Sequence, residues 1–142
     1  MFKTQRTEVG MEIQQIALGN GVQRSASVPG SPIVEVLLGT EADSPLGVIS
    51  VTVPAGGGMP EHDHGPSTVV LIPQSGSAHL VDVADDERVI ELPLGTLTTI
   101  PVGRRVRLEN PGSVDAHLLV ALSPPDFARQ IAKWPEAAEA TA

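Results

Sequence analysis

His62 and His64 stand two residues apart in the stretch Gly56-Gly-Gly-Met-Pro-Glu-His-Asp-His64-Gly-Pro-Ser-Thr-Val69. Side chains alternate faces along an extended strand, so a His-x-His pair on one points both imidazoles the same way. Two neutral imidazoles on one face can take adjacent positions around a single metal ion. Glu61 and Asp63 then face the other side. Strands and loops also carry such pairs by chance, so the surroundings must decide. Two further histidines are candidate partners. His79 alternates with Ala78 and Leu80, and those apolar neighbours favour an outward imidazole. His117 lies in Ala116-His-Leu-Leu-Val-Ala-Leu122, apolar on both faces, where it is either a satisfied core histidine or a reserve metal ligand.

The other polar cluster is Arg104, Arg105 and Arg107. Guanidinium groups pair well with carboxylates and phosphates. In so acidic a chain, a solvated strand face balancing the negative charge is the simpler expectation. There is no Ser-His-Asp ordering and no nucleotide fingerprint. Gly56-Gly-Gly58 lacks the Lys and Ser or Thr of a phosphate-binding loop.

The surroundings of the histidines resemble the two motifs of the cupin superfamily. Its first motif runs Gly, five residues, His-x-His, three or four residues, Glu, six residues, Gly. Gly56, His62, His64 and Gly76 fall at those offsets, so the first motif spans about 56–76. The second runs Gly, five residues, Pro-x-Gly, two residues, His, three residues, Asn. Gly95, Pro101, Gly103 and Asn110 match it over about 95–110. The resemblance implies an antiparallel jelly-roll β-barrel, often dimeric. It also implies a metal bound by the two motif-one histidines, the Glu and the motif-two His. Here the Glu position is Val69 and the motif-two His position is Val106. Neither Val can ligate an ion, so half of the usual shell becomes apolar surface lining the cavity.

The elements that must position these residues are short. Apolar or alternating runs recur, each closed by Gly, Pro, Asn or Asp. They predict strands at Met11–Leu18, Val22–Val28, Ile33–Leu38, Leu46–Val53, Ser67–Ile72, Ala78–Val83, Arg88–Leu92, Leu97–Ile100, Arg105–Glu109 and Ala116–Leu122. Such spacing favours a barrel or sandwich, and closure removes exposed edges. The chain's end reads as a helix over about 124–134, with Ser123 as N-cap, Pro124 at its first position and Asp126 as the capping acid. Phe127, Ile131 and Trp134 form one stripe, expected to pack on the barrel wall rather than to lid a ligand.

Composition narrows the function classes. Residues 1–142 fit a single domain, and 14 Gly and 13 Pro against two Phe, one Trp and no Tyr favour an all-β fold. The absence of Cys excludes disulfides and thiolate metal sites. A net charge of −8 argues against nucleic-acid and membrane partners. No leader-like or membrane-spanning apolar run is read, so a cytoplasmic location is expected.

The leading expectation is a cupin-type homodimer that binds a small molecule inside the barrel. Val69 and Val106 would line the cavity beside His62 and His64, with a weak site for Fe, Ni, Mn or Zn at the imidazoles. The alternative is a metal-dependent dioxygenase- or isomerase-like enzyme using His62, His64 and a third ligand. An intermediate version uses one imidazole as a general base without metal. A purely structural barrel that serves to dimerise is the remaining reading.

Overall fold

A computed structural model of the chain describes residues 12–137. Runs in which every second residue is apolar become its strands, because a strand buries alternate side chains. In order they are β1 (Gln23–Ser25), β2 (Ile33–Leu38), β3 (Gly47–Val53), β4 (Gly58–His62) and β5 (Thr68–Ser75). There follow β6 (His79–Asp82), a 3-10 turn (Val83–Asp85), β7 (Arg88–Glu91), β8 (Thr98–Ile100), β9 (Val106–Glu109), β10 (Ala116–Ser123) and α1 (Asp126–Ile131).

The strands form two antiparallel sheets. One has six strands in the order β1-β2-β3-β10-β5-β8, the other four in the order β4-β9-β6-β7. Inward residues of both meet in one core that includes Ile49, Val53, Val69, Leu80, Val106 and Leu118. This is the all-β, jelly-roll-like barrel with a short terminal helix that the residue pattern predicts. Among the described residues, no helix is long and apolar enough to cross a membrane.

The motif-two turn takes the expected form. Arg104 N–H donates to the Pro101 carbonyl at 3.2 Å, and Gly103 sits at φ +77°, which a β-branched residue resists. Asn110 is buried, and its Nδ2 donates to the Val53 and Val114 carbonyls while its Oδ1 accepts from Gly112 N–H. One side chain thus satisfies the carbonyl at the end of β3 and ties the turn after β9 to it.

Several boundaries differ from the expectation. Residues 12–18 form no strand, although their alternation suggested one, and Met11 lies outside the described residues. The expected strand at Val22–Val28 contracts to Gln23–Ser25. Gly58–His62, which the ten expected strands omitted, pairs with β9.

The helix begins at Asp126 with Pro125 as N-cap, and no side chain caps it. Ser123 is instead the last residue of β10, where its hydroxyl donates to the Pro45 carbonyl. Pro124 stays outside the helix because it precedes Pro125, and the residue before a proline is driven from helical geometry. The helix ends at Ile131, and Trp134 N–H turns back to the Ile131 carbonyl at 2.8 Å. Beyond it the chain joins β1, with Ser25 N–H donating to the Pro135 carbonyl and Ala137 N–H to Gln23.

Candidate functional site

Register places the first imidazole. On β4, His62 stands opposite Val106 of β9, and the pairing is irregular between Met59 and His62. The strand ends at His62, so alternation along a strand does not orient His64. A turn does so instead. Asp63 Oδ1 accepts from Gly65 N–H at 2.9 Å, and Ser67 N–H donates to the His64 carbonyl at 3.2 Å. The turn folds His64 back beside its neighbour, and the two Nε2 atoms come within 3.2 Å.

The protonation of His62 follows from its partner. Its Nδ1 lies 2.7 Å from the Pro60 carbonyl, which can only accept, so Nδ1 carries the proton. In the neutral ring Nε2 is then a lone pair aimed at His64. In the 3.2 Å contact His64 therefore supplies the hydrogen through its own Nε2. Burial is the main cause that keeps both rings neutral. It lowers the pKa of His62 against the opposing pull of Pro60 and Asp63. It lowers His64 to about 4, helped by the neighbouring His62. His64 is 8% exposed.

Phe127 of α1 completes the surroundings. Its ring is edge-on to His64 with centroids 4.8 Å apart, and nearly parallel to His62 at 6.1 Å. The stripe residue expected to pack on the barrel wall therefore touches the imidazoles as well. Ile131 is buried in the core and Trp134 packs against it, as a wall-packed helix requires. The helical spacing marks Phe127 as inward, but nothing in the sequence says what it meets.

Val69 and Val106 both belong to the core, at 0% and 3% exposure. They share the barrel interior with His62, but no water-sized space touches Val69 in this conformation. Two clefts lie elsewhere. One of about 430 Å3 is bounded by Val83, Pro101 and Arg104, and another of about 380 Å3 runs along Gly56–Pro60 and Asn110.

The other candidates are dispersed. His117 faces outward, exposed, with Nδ1 3.0 Å from Thr52 Oγ1, so the reserve ligand stands on the wrong face of β10 to reach His62 and His64. His79 is on the outer face of the four-stranded sheet, its Nε2 2.7 Å from Glu109 Oε1. Arg105 pairs with Glu61 and Asp63, and Arg107 with Glu87 and Glu109, as expected of a solvated face. Arg104 differs. Its fork donates twice to Asp82, both bonds at 2.8 Å, and holds that carboxyl below its ordinary range.

Asp82 belongs to neither motif. It stands opposite Val106 on the side away from His62, so His62, Val106 and Asp82 form one inward row across β4, β9 and β6. Its alternation with Leu80 is the signal that could have found it.

The geometry tests the metal directly. Imidazole nitrogens bind first-row ions at about 2.0–2.1 Å. The 3.2 Å separation suits two neighbouring ligands of one such ion. The carbonyl behind His62 Nδ1 is the support that orients a ligating imidazole. Among the described residues, no group of three or more His, Cys, Asp or Glu could hold a metal. A two-imidazole partial site fits these residues, and a centre with four protein ligands does not.

No protein-family model matches the chain, and no curated protein matches its sequence. Solved structures do resemble it. The polyketide cyclase RemF from Streptomyces resistomycificus superposes with a TM-score of 0.67 at 19% identity, over 80% of each chain. A predicted oxalate decarboxylase from Thermotoga maritima gives 0.66 at 16% identity, over 78% of this chain and 98% of that one. The Cnp3 cupin domain of Schizosaccharomyces pombe gives 0.56 at 13% identity, over 65% of this chain and 64% of that one, a little under two thirds of its length.

Proposed function

This chain has the cupin fold, and on that premise we propose that it binds a small molecule at the His62–His64 pair, where a divalent first-row ion is held weakly as an auxiliary. The observation that carries this is the convergence of two neutral Nε2 atoms at 3.2 Å, one with its tautomer pinned by Pro60. An ion such as Fe, Ni, Mn or Zn, when bound, would supply a Lewis-acid centre for oxygen donors of the ligand.

The chain's own residues divide the remaining work. The Pro60 carbonyl keeps the His62 proton on Nδ1 and leaves Nε2 free to accept. Burial keeps the imidazoles uncharged at neutral pH, so they meet a ligand as lone-pair or N–H groups, not as cations. Val69 and Val106 add no polar group and exclude water on the core side. Phe127 packs edge-on against His64, its ring centroid 4.8 Å away, and puts an apolar wall beside the pair.

A second reading is enzymatic. The lone pair on His62 Nε2, backed by the Pro60 carbonyl, is a general base in an apolar setting. A metal-dependent dioxygenase- or isomerase-like activity would need a third ligand from the substrate or from water.

Calorimetric titration of Zn, Ni, Mn and Fe(II) into protein purified without an affinity tag tests the proposal. One weak site is expected, lost in His62→Ala and in His64→Ala. Binding that survives both substitutions would overturn the placement. If no ion binds, imidazole NMR shifts on adding small organic acids and aromatic compounds would separate a metal-free ligand site from no site.

A further inference from the structure

We propose that the cleft between the 3-10 turn and the turn joining β8 to β9 binds a small carboxylate with an apolar body, at a site separate from the imidazole pair. Its volume, about 430 Å3, is in the range that takes a small organic molecule. Val83 and Ala84 of the first turn and Pro101 and Val102 of the second give it apolar walls. Val102 is 58% exposed, so its apolar surface is available to a ligand. Nothing lies within 4 Å of where a Cβ on Gly103 would stand, which keeps the wall beside Arg104 open. None of His62, His64, Val69, Val106 and Phe127 lines this cleft.

Two cations complete the lining, Arg104 and Arg105, and no acidic residue does. Each guanidinium is anchored without being used up. Arg104 gives Nε and Nη2 to Asp82, and its Nη1 has no acceptor among the described residues. Arg105 gives Nε to Glu61 and Nη1 to Asp63, which leaves its Nη2. Each therefore keeps a terminal nitrogen for an incoming acceptor. The carboxylates that hold them lower the ordering cost of binding, because the long side chains are already placed. The two turns are fixed as well, since Val83 N–H donates to the Arg105 carbonyl at 3.1 Å and Arg104 N–H to that of Pro101.

The second cleft, along Gly56–Pro60, lacks this provision. Its cation is Arg107, and all three guanidinium nitrogens of Arg107 already donate, to Glu87 and Glu109. Glu109 also lines that cleft and would repel an anion.

Charge and polarity select the occupant. Guanidinium groups pair with carboxylates and phosphates alike. The net charge of −8, with Glu61, Asp63 and Asp82 standing behind these two arginines, disfavours a dianion more than a monoanion. The valine and proline walls match an aliphatic or aromatic body and offer nothing to a bare inorganic ion. A monocarboxylate with such a body meets both conditions.

NMR titration of benzoate into labelled wild type tests the proposal. Saturable shifts are expected at Val83, Val102 and Arg104, with a dissociation constant on the order of 1 mM and no shift at His62 or His64. Benzamide, of the same shape but uncharged, should bind at least about tenfold more weakly. Arg104→Met combined with Asp82→Asn removes the guanidinium without stranding its carboxylate, and saturation should be lost. Val102→Asp, at an exposed position, should weaken benzoate at least about tenfold with an unchanged melting point, and it decides the matter if the double variant fails to fold. Arg107→Met should leave the affinity as it is. Four results would overturn the proposal: no saturable shift in the wild type, shifts centred on the imidazoles, wild-type affinity in either folded cleft variant, or inorganic phosphate binding more tightly than benzoate.

Discussion

The Nε2 atoms of His62 and His64 lie 3.2 Å apart although only His62 belongs to a strand. The hydrogen bond from His62 Nδ1 to Pro60 and the turn that returns His64 achieve this together. The pair is therefore set by local hydrogen bonds as much as by the sheet.

Restoring the missing ligands should strengthen metal binding. Val106 stands directly opposite His62, and Val69 occupies the core at the other departed motif position. Val69→Glu with Val106→His should tighten divalent-metal binding by at least about tenfold, because fixed donors replace water. Without metal the double variant should lose about 1–3 kcal/mol, the cost of polar groups against apolar walls. Calorimetric titration and melts with and without Zn check both parts. Unchanged affinity in a folded variant would refute the inferred geometry.

Stability should fall with acid in a defined window. The folded pKa of His64 is depressed from 6.5 to about 4, so between those values the unfolded chain binds the proton more readily. The stability is fully present above pH 6.5 and is lost as pH falls toward 4, by on the order of 3 kcal/mol. Urea unfolding of wild type and His64→Gln over this range should differ by that slope. Parallel curves would show that His64 does not titrate as described.

Phe127 should control access to the pair. Phe127→Ala is expected to speed modification of His64 by diethyl pyrocarbonate at least about tenfold, since a ring 4.8 Å away no longer covers it. His79 and His117, both distant from α1 in the fold, provide internal controls in the same mass-spectrometric measurement. An unchanged rate at His64 would mean that another group shields it.

Two glycines separate strain from crowding. Gly76 and Gly103 both have positive φ, at +75° and +77°. A Cβ on Gly76 would meet the Asp115 carbonyl oxygen at 2.3 Å, whereas nothing lies within 4 Å of one on Gly103. Gly103→Val should cost about 1–3 kcal/mol from backbone strain alone, and Gly76→Val clearly more. Thermal melts should rank them in that order.

Removing Arg104 should destabilise more than removing Arg105. Arg104 satisfies both oxygens of Asp82, whose side chain is 11% exposed, while Arg105 pairs with carboxylates that water also reaches. Arg104→Met leaves an enclosed carboxylate without its cation, and Asp82→Asn in the same chain should recover part of the loss. Equal melting points for Arg104→Met and Arg105→Met would contradict this difference.

Much of this was legible in the residues themselves. Alternation marked β2, β3, β5, β6 and β10 because one face of each must be buried, and the same rule sends Val106 and Leu108 inward and Arg105 and Arg107 outward. The offsets from Gly56 to Asn110 identified the barrel because turn glycines and a buried Asn answer to backbone geometry, which is local. What surrounds the pair was decided only by the tertiary structure. Phe127 meets His64 across a sequence separation that no local rule spans, and Asp82 takes Arg104 as its partner because sheet register brings β6 beside β9. His117 could have faced either way, since both sides of its strand are apolar, and only the pairing of β10 with β3 sends it outward to Thr52. The alternation at residues 12–18 misled for the same physical reason: a strand requires a neighbour to pair with, and the chain alone does not say whether one is there.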